Sequence, residues 1–406
     1  MSTEQVDVIV GGGGMVGLTL AIALAKGGLQ VVVCDPLRPE TVLDAAFDGR
    51  VSALAYSSVR MFQALGLWQG LEPHAQPIND ILVTDAGLDR PASPFSLHFD
   101  HREVGVPLGH IAENRHIRAA QFAGLCDGVR LIAPAALTAL EDAGGGILAT
   151  LSNGDQIRAR LAVAADGRAS PMRDAQGIGV VGWSYPQTGI VATVEHEKPH
   201  RGVAYEHFLP SGPFAILPLP GRRSSLVWTE DTRIAPSLIA MDEDDFNAEL
   251  HRRFGAHLGA AHVAGPRWSY PLKFHLARAF VRPRFALAGD SAHGIHPIAG
   301  QGLNLGLKDA AALAEVVLDA ARLGLDIGAL DVLRRYERWR RFDAFTLAAA
   351  TDGLNRLFSN DIVPLRVARD LGMGVVDRIG PLRRFFMRHA GGEIGKLPRL
   401  LKGEAA

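Results

Sequence analysis

Hydrophobic residues fall along this chain in distinct rhythms, and each rhythm predicts a different element. Near the start they come as unbroken blocks. Val6-Asp7-Val8-Ile9-Val10 is a β-branched run cut by Gly11-Gly12-Gly13-Gly14, which reads as a strand ended by a tight turn. Met15 to Lys26 is rich in Leu, Ala and Ile, lacks proline and runs into Gly27-Gly28, the pattern of a buried helix with a glycine stop. Gln30 to Cys34 is again almost wholly apolar, as in a parallel strand covered on both faces, and Asp35 ends it. Residues 6–35 therefore predict one βαβ unit.

Further along, the rhythm changes. Residues 75–105 hold several prolines and an Asp/His-rich stretch, Leu97-His98-Phe99-Asp100-His101-Arg102, and predict an excursion out of the first layer. Helical spacing returns at 114–125, and alternating segments at 147–151 and 156–163 predict strands. Between 180 and 275, short apolar runs such as 190–194, 214–217 and 225–228 are punctuated by Pro and Gly, which predicts an antiparallel sheet in a second domain. One more buried strand at 284–288, a helix at 302–323 and a mostly helical tail from 329 to about 400 complete the α/β reading, with no internal repeat.

Composition narrows the function by exclusion. The 406 residues are 48% apolar and 21% charged, with 42 basic against 43 acidic side chains, so neither disorder nor nucleic-acid binding is expected. Cys34 and Cys126 stand far apart without a CxxC, against zinc ribbons and disulfide scaffolds and in favour of a reducing, cytoplasmic setting. No run approaches the ~20 apolar residues that span a bilayer, and a strand starting by Val6 leaves no room for a signal peptide.

The 45 glycines cluster where chemistry is expected. In Gly12-x-Gly14-x-x-Gly17, Gly12 allows the turn, Gly14 lets backbone approach a pyrophosphate and Gly17 lets the helix lie close. The helix start offers free N–H groups to phosphate, and Asp35 can accept from ribose hydroxyls. On this motif alone the dinucleotide is NAD or FAD. A second cluster runs from Phe285 through Gly289-Asp290-Ser291-Ala292-His293 to His296-Pro297-Ile298-Ala299-Gly300-Gln301-Gly302-Leu303-Asn304. It sets an acid after a buried strand and a glycine-rich turn at the start of a helix, where N–H groups can stabilise a reduced, anionic flavin ring.

With these strings, and with Ala164-Ala165-Asp166-Gly167-Arg168 as a third, the chain resembles FAD-dependent aromatic hydroxylases of the para-hydroxybenzoate hydroxylase type. The 296–307 string and Phe208–Leu219 resemble the ubiquinone-biosynthesis group within them; Glu113-Asn114-Arg115 and Asp48-Gly49-Arg50 look like flavin-contacting segments. The resemblance covers about residues 6–345, and Ala164 departs from the family's usual glycine.

The resemblance implies a Rossmann-like FAD-binding domain built from 1–75, 105–180 and 276–345, an interleaved antiparallel-sheet substrate domain from 76–104 and 181–275, and a helical C-terminal region, 346–406. It places Gly12, Gly14, Gly17 and Asp35 on the adenosine half of FAD, Arg50 and Arg115 near the pyrophosphate and ribityl chain, and Asp290 on pyrophosphate or ribityl oxygens. Pro297, Gly300, Gly302, Leu303 and Asn304 would line the flavin ring. Asp166 and Gly167 would serve both FAD and the nicotinamide nucleotide. His296, beside Pro297, is a candidate proton carrier, as is His293, with a structural role in the turn the competing reading.

The implied reaction uses NAD(P)H and O2 to hydroxylate a polyprenylated phenol on the way to ubiquinone, with no metal. A reductase of the same fold, a hydroxylase of another phenol and a non-catalytic flavoprotein subunit are the alternatives. Phe214, Trp228 and Tyr270 are candidate substrate walls, with core packing the commoner role for each. The spacing of His98, His101, His110 and His116 suggests no metal site. From Arg378 to Lys402 the tail mixes basic and bulky apolar residues, which points to a solvated face, to peripheral contact with a membrane or to a ubiquinone-biosynthesis complex.

Overall fold

The computed structural model describes residues 4–44, 46, 49–85, 96–360, 362–393 and 395–406. Its first layer is a mixed sheet with a parallel centre. Glu4–Gly11 (β1) pairs with Val31–Cys34 (β2) on one side and with Gln156–Ala164 on the other. Phe285–Leu287 extends the sheet beyond 156–164, and Val129–Ile132 extends it beyond β2. Val8, Ile9 and Val10 are fully buried, as strands covered on both faces must be. The helix Met15–Lys26 packs on the long helix Gln301–Arg322. The contact is close because Gly27 has no side chain: a Cβ there would lie 2.2 Å from Leu318 Cδ2. Gly28 then takes φ +96°, the left-handed step that ends the helix.

The second layer is, among the described residues, a nine-stranded sheet whose central strands are Trp268–Ala277, Val180–His196, Arg223–Asp231, Gly212–Leu219 and Val203–Leu209. These pair antiparallel in that order. Its edge is built by Asp80–Asp85 and Ser96–Asp100, the first joining Val203–Leu209 in parallel. Within the excursion expected at 75–105, the described segments 80–85 and 96–100 form this edge. One face is packed by the helix Glu243–Phe254, capped by the Asp242 carboxylate on the Asp245 N–H at 2.9 Å, with acids in its first turn and bases in its last. A small sheet of Val51–Ala55, Gly109–Glu113 and Gln76–Ile78 bridges the two layers.

The helix Leu330–Phe358 is continuous, so the boundary placed at 345/346 falls inside it. The chain end returns to the first layer: Leu400 and Leu401 are buried in its core, and Arg399 bonds Asp319.

Candidate active site

Strand register gathers the predicted acids at one edge. Gly11 lies level with Cys34 and with Ala164, and Ala164 lies level with Leu287. The residues that follow, Asp290, Asp166, Gly12 and Asp35, therefore sit at the carboxyl ends of neighbouring parallel strands, where α/β sheets bind ligands.

At the Asp35 end, Gly13 N–H donates to Asp35 Oδ2 at 2.6 Å and Leu37 N–H to Oδ1 at 2.8 Å. The carboxylate thereby fixes the glycine turn. Gly12 has φ +110°, and a Cβ on it would lie 2.2 Å from Ala165 O. A Cβ on Gly17 would lie 2.0 Å from Gly12 O, so this glycine protects the turn itself. Gly14 is different: a Cβ there meets nothing within 4 Å. It begins a helix with no side-chain cap, leaving first-turn N–H groups for a phosphate.

Ala164 needs no glycine, since it closes a strand and positive φ first occurs at Gly167. Asp166 accepts from Ser170 Oγ at 2.5 Å and Met172 N–H at 3.1 Å; burial nevertheless raises its carboxyl above the usual range. Buried Arg173, not singled out by sequence, donates to Arg168 O, Ala169 O and Ser291 O, clamping the 166 turn to the 290 turn. Asp290 keeps its half-exposed carboxylate at the site, with Arg168 Nη2 at 3.8 Å.

Behind it lies a buried cluster. Asp309 accepts from Gly289 N–H at 3.0 Å and Arg340 Nε at 2.8 Å, and pairs with His293 at 2.5 Å. Burial works to raise the Asp309 carboxyl, but His293 and Arg340 outweigh it and hold it low. His293 is thus the structural histidine of the turn. The sequence hid this cluster because its members come from the 289–293 turn and two helices.

At the other end, Gly300 caps the helix Gln301–Arg322 in the left-handed region at φ +62°, and a Cβ on Gly302 meets nothing within 4 Å. Leu303 packs on the main core. The Asn304 side chain accepts from Ala55 N–H and Ser58 Oγ, each at 2.8 Å, and donates to Ala53 O at 2.8 Å. It fastens the small sheet over the helix start. Arg50 and Arg115 flank paired Val51 and Glu113 of that sheet; Arg115 Nε contacts Glu113 at 2.8 Å. Asp48 lies outside the described residues. Pro297 is partly buried. His296 is fully buried, edge-on to Tyr185 at 5.1 Å, and among the described residues its Nε2 finds no partner. Burial pushes it down to about 4, leaving a neutral imidazole at pH 7.

The second sheet meets the 296–300 turn through Phe208, which clusters with Ile298, Phe358 and Met373. Phe214 and Trp228 lie on the opposite face, fully buried against Phe246, so they are core and not substrate walls. Tyr270 pairs with Gly189, against which its ring packs. Asp80, Asp100 and His101 bring ligand atoms within 4.8 Å of one another, a grouping that histidine spacing missed, although Arg102 already grips Asp100 through both oxygens.

The open space at Gly14 and Gly302, the uncapped helix starts and the strand-end acids Asp35 and Asp290 fit an extended dinucleotide reaching from Asp35 to the 300 turn. A family profile described as an FAD binding domain matches residues 5–340. Ubiquinone hydroxylase UbiL of Rhodospirillum rubrum is 52% identical, over 98% of this chain and 92% of that protein. The 3-demethoxyubiquinol 3-hydroxylase of Escherichia coli is 34% identical, over 96% of this chain and 99% of its own. Among solved structures, p-nitrophenol 4-monooxygenase PnpA of Pseudomonas putida superposes with a TM-score of 0.79 at 20% identity, covering 98% of this chain and 100% of that one.

Proposed function

The chain belongs to the FAD-dependent aromatic hydroxylases, in the group that contains the ubiquinone-biosynthesis enzymes, and from that premise we propose that it uses NAD(P)H and O2 to hydroxylate the ring of a polyprenylated phenol. The observation that carries this is the juxtaposition of the FAD-fitting strand ends with an apolar sheet face across the 296–300 turn. Bound FAD supplies the redox chemistry, passing electrons from NAD(P)H to O2. The chain's own groups do the rest. Gly12, Gly14, Gly17 and Asp35 hold the adenosine end, with Arg50 and Arg115 toward the middle. Asp290 binds pyrophosphate or ribityl oxygens, and Asp166 with Gly167 shapes the adjoining turn for FAD and the nicotinamide nucleotide. The N–H groups after Gly300, at Gly302, Leu303 and Asn304, face the ring beside Pro297. Buried His296 stands beside Pro297 as a neutral imidazole.

A prenyl tail has to reach this site from a lipid phase. The helices Val363–Arg378 and Gly380–Ala390 each turn a methionine inward, Met373 and Met387, and expose Val375, Ile379, Phe385 and Phe386 outward. This outer face, flanked by Arg384 and Arg388, suits the edge of an anionic bilayer. Among the described residues no helix is long and apolar enough to cross a membrane.

The purified protein should be yellow, and NAD(P)H consumption should rise when a prenylated phenol is added, with oxygen entering the product. Asp290→Ala should weaken FAD by about 1–3 kcal/mol. Failure of the gene to restore ubiquinone in every hydroxylase-deficient strain would discard the substrate assignment.

A further inference from the structure

The strand Val203–Leu209 sends alternate side chains to opposite faces. Tyr205 and His207 lie on the far face, toward the cluster of Phe214 and the 243–254 helix. Ala204 and Phe208 take the near face: Ala204 shares a cluster with Met387, and Phe208 shares one with Ile298 of the flavin turn. Glu206 lies between them on that near face, directly level with Val83 on one neighbouring strand and Ala215 on the other. Among the described residues, no hydrogen bond or ion pair reaches its carboxyl.

Three charged groups described on the surrounding elements are already engaged. Asp85 is held by Arg369 at 2.7 Å, Asp352 accepts from Tyr185 at 2.8 Å, and Arg383 pairs with Glu103 at 2.7 Å. His296 is neutral. Burial, with no cation to offset it, pushes Glu206 up to about 7. Its side chain still keeps partial exposure. It therefore stands on the face of the sheet that meets the flavin turn, one residue pair from Phe208, which packs on Ile298. A strand gains nothing from an unpaired acid in such a place.

Resting on the reading that this chain hydroxylates a phenol, we propose that Glu206 is the catalytic base that receives the substrate's ring hydroxyl. The O–H bond breaks toward the carboxylate, and the electron pair left on oxygen moves into the ring, whose attacking carbon forms the new C–O bond. When that carbon loses its proton and aromaticity returns, the proton on Glu206 goes back to the ring oxygen. NAD(P)H and a solvent proton supply two electrons and two protons; as the C–O bond forms the O–O bond breaks, so that one atom of O2 enters the ring and the other leaves as water.

The test uses the FAD-loaded protein with 2-geranylphenol and its methyl ether, which cannot donate a hydrogen bond. Affinity is read from perturbation of the flavin spectrum. Wild type should prefer the phenol about ten-fold or more, as expected for a bond to a charged acceptor, and Glu206→Leu should erase the preference. Glu206→Gln should lower kcat about 10²–10⁴-fold with little change in KM, and should flatten the rise of kcat with pH near 7. Retained preference in Glu206→Leu, or retained kcat in Glu206→Gln, overturns the assignment. If wild type oxygenates no phenol, the hydroxylase reading falls, while the binding comparison still decides whether Glu206 receives the hydroxyl.

Discussion

A carboxyl at position 206 works against the fold that carries it. Its folded pKa of about 7 lies above the ordinary 4.5, so the stability it allows is fully present below 4.5 and is lost as pH rises through 7. In the absence of substrate, Glu206→Gln should therefore gain on wild type by on the order of 2 kcal/mol between pH 4 and pH 8. Thermal melts at both pH values check this, and an equal offset at both would sink it. Asn304 is the opposite case, a polar side chain fully spent on structure. Asn304→Ala leaves the Ala55 N–H and Ser58 hydroxyl without their acceptor and should cost about 1–3 kcal/mol, with flavin lost as the small sheet loosens. Neither role was legible in the sequence. Glu206 looks like any solvent-facing strand residue until register shows which face it takes, and Asn304 bonds partners some 250 positions away in a segment with no motif of its own.

Elements were more legible than residues, because continuous apolar blocks and glycine stops are local signals. The first βαβ unit, the strand at 285–287 and the helix from 301 stand where their patterns put them. What composition could not supply was the face: Phe214 and Trp228 are bulky and near the site in sequence, yet alternation sends them to the far core. The glycine turn separates two roles in an experiment. Gly17→Ala drives a Cβ into the turn's own carbonyl and should destabilise the protein by at least about 1 kcal/mol even without FAD. Gly14→Ala has room and should leave the melting temperature of the FAD-free protein nearly unchanged while weakening FAD. Equal thermal losses in both variants would remove the assignment of Gly14 to the phosphates.

At the scale of the molecule, the C-terminal helices pack Met373 and Met387 against the clusters of Phe208 and Ala204 and expose an apolar face on the other side. Phe385→Ser with Phe386→Ser should reduce binding to anionic phospholipid vesicles about ten-fold or more, given ~1.5–3 kcal/mol for each buried aromatic. Sedimentation with vesicles measures this, and unchanged binding would separate the patch from membranes. Deleting everything after Gly380 is a poorer probe, since it also strips Leu400 and Leu401 from the main core and should lower the melting temperature outright. The Asp309 cluster extends the same logic to the history of each molecule. The turn that presents Asp290 is fastened through Asp309 to Arg340. A nascent chain leaving the ribosome thus holds its first glycine turn through Asp35 long before it can fasten the turn that carries Asp290, which waits for Arg340. Cofactor capture is expected only after Arg340 has been made, and a chain cut short before that residue should purify colourless.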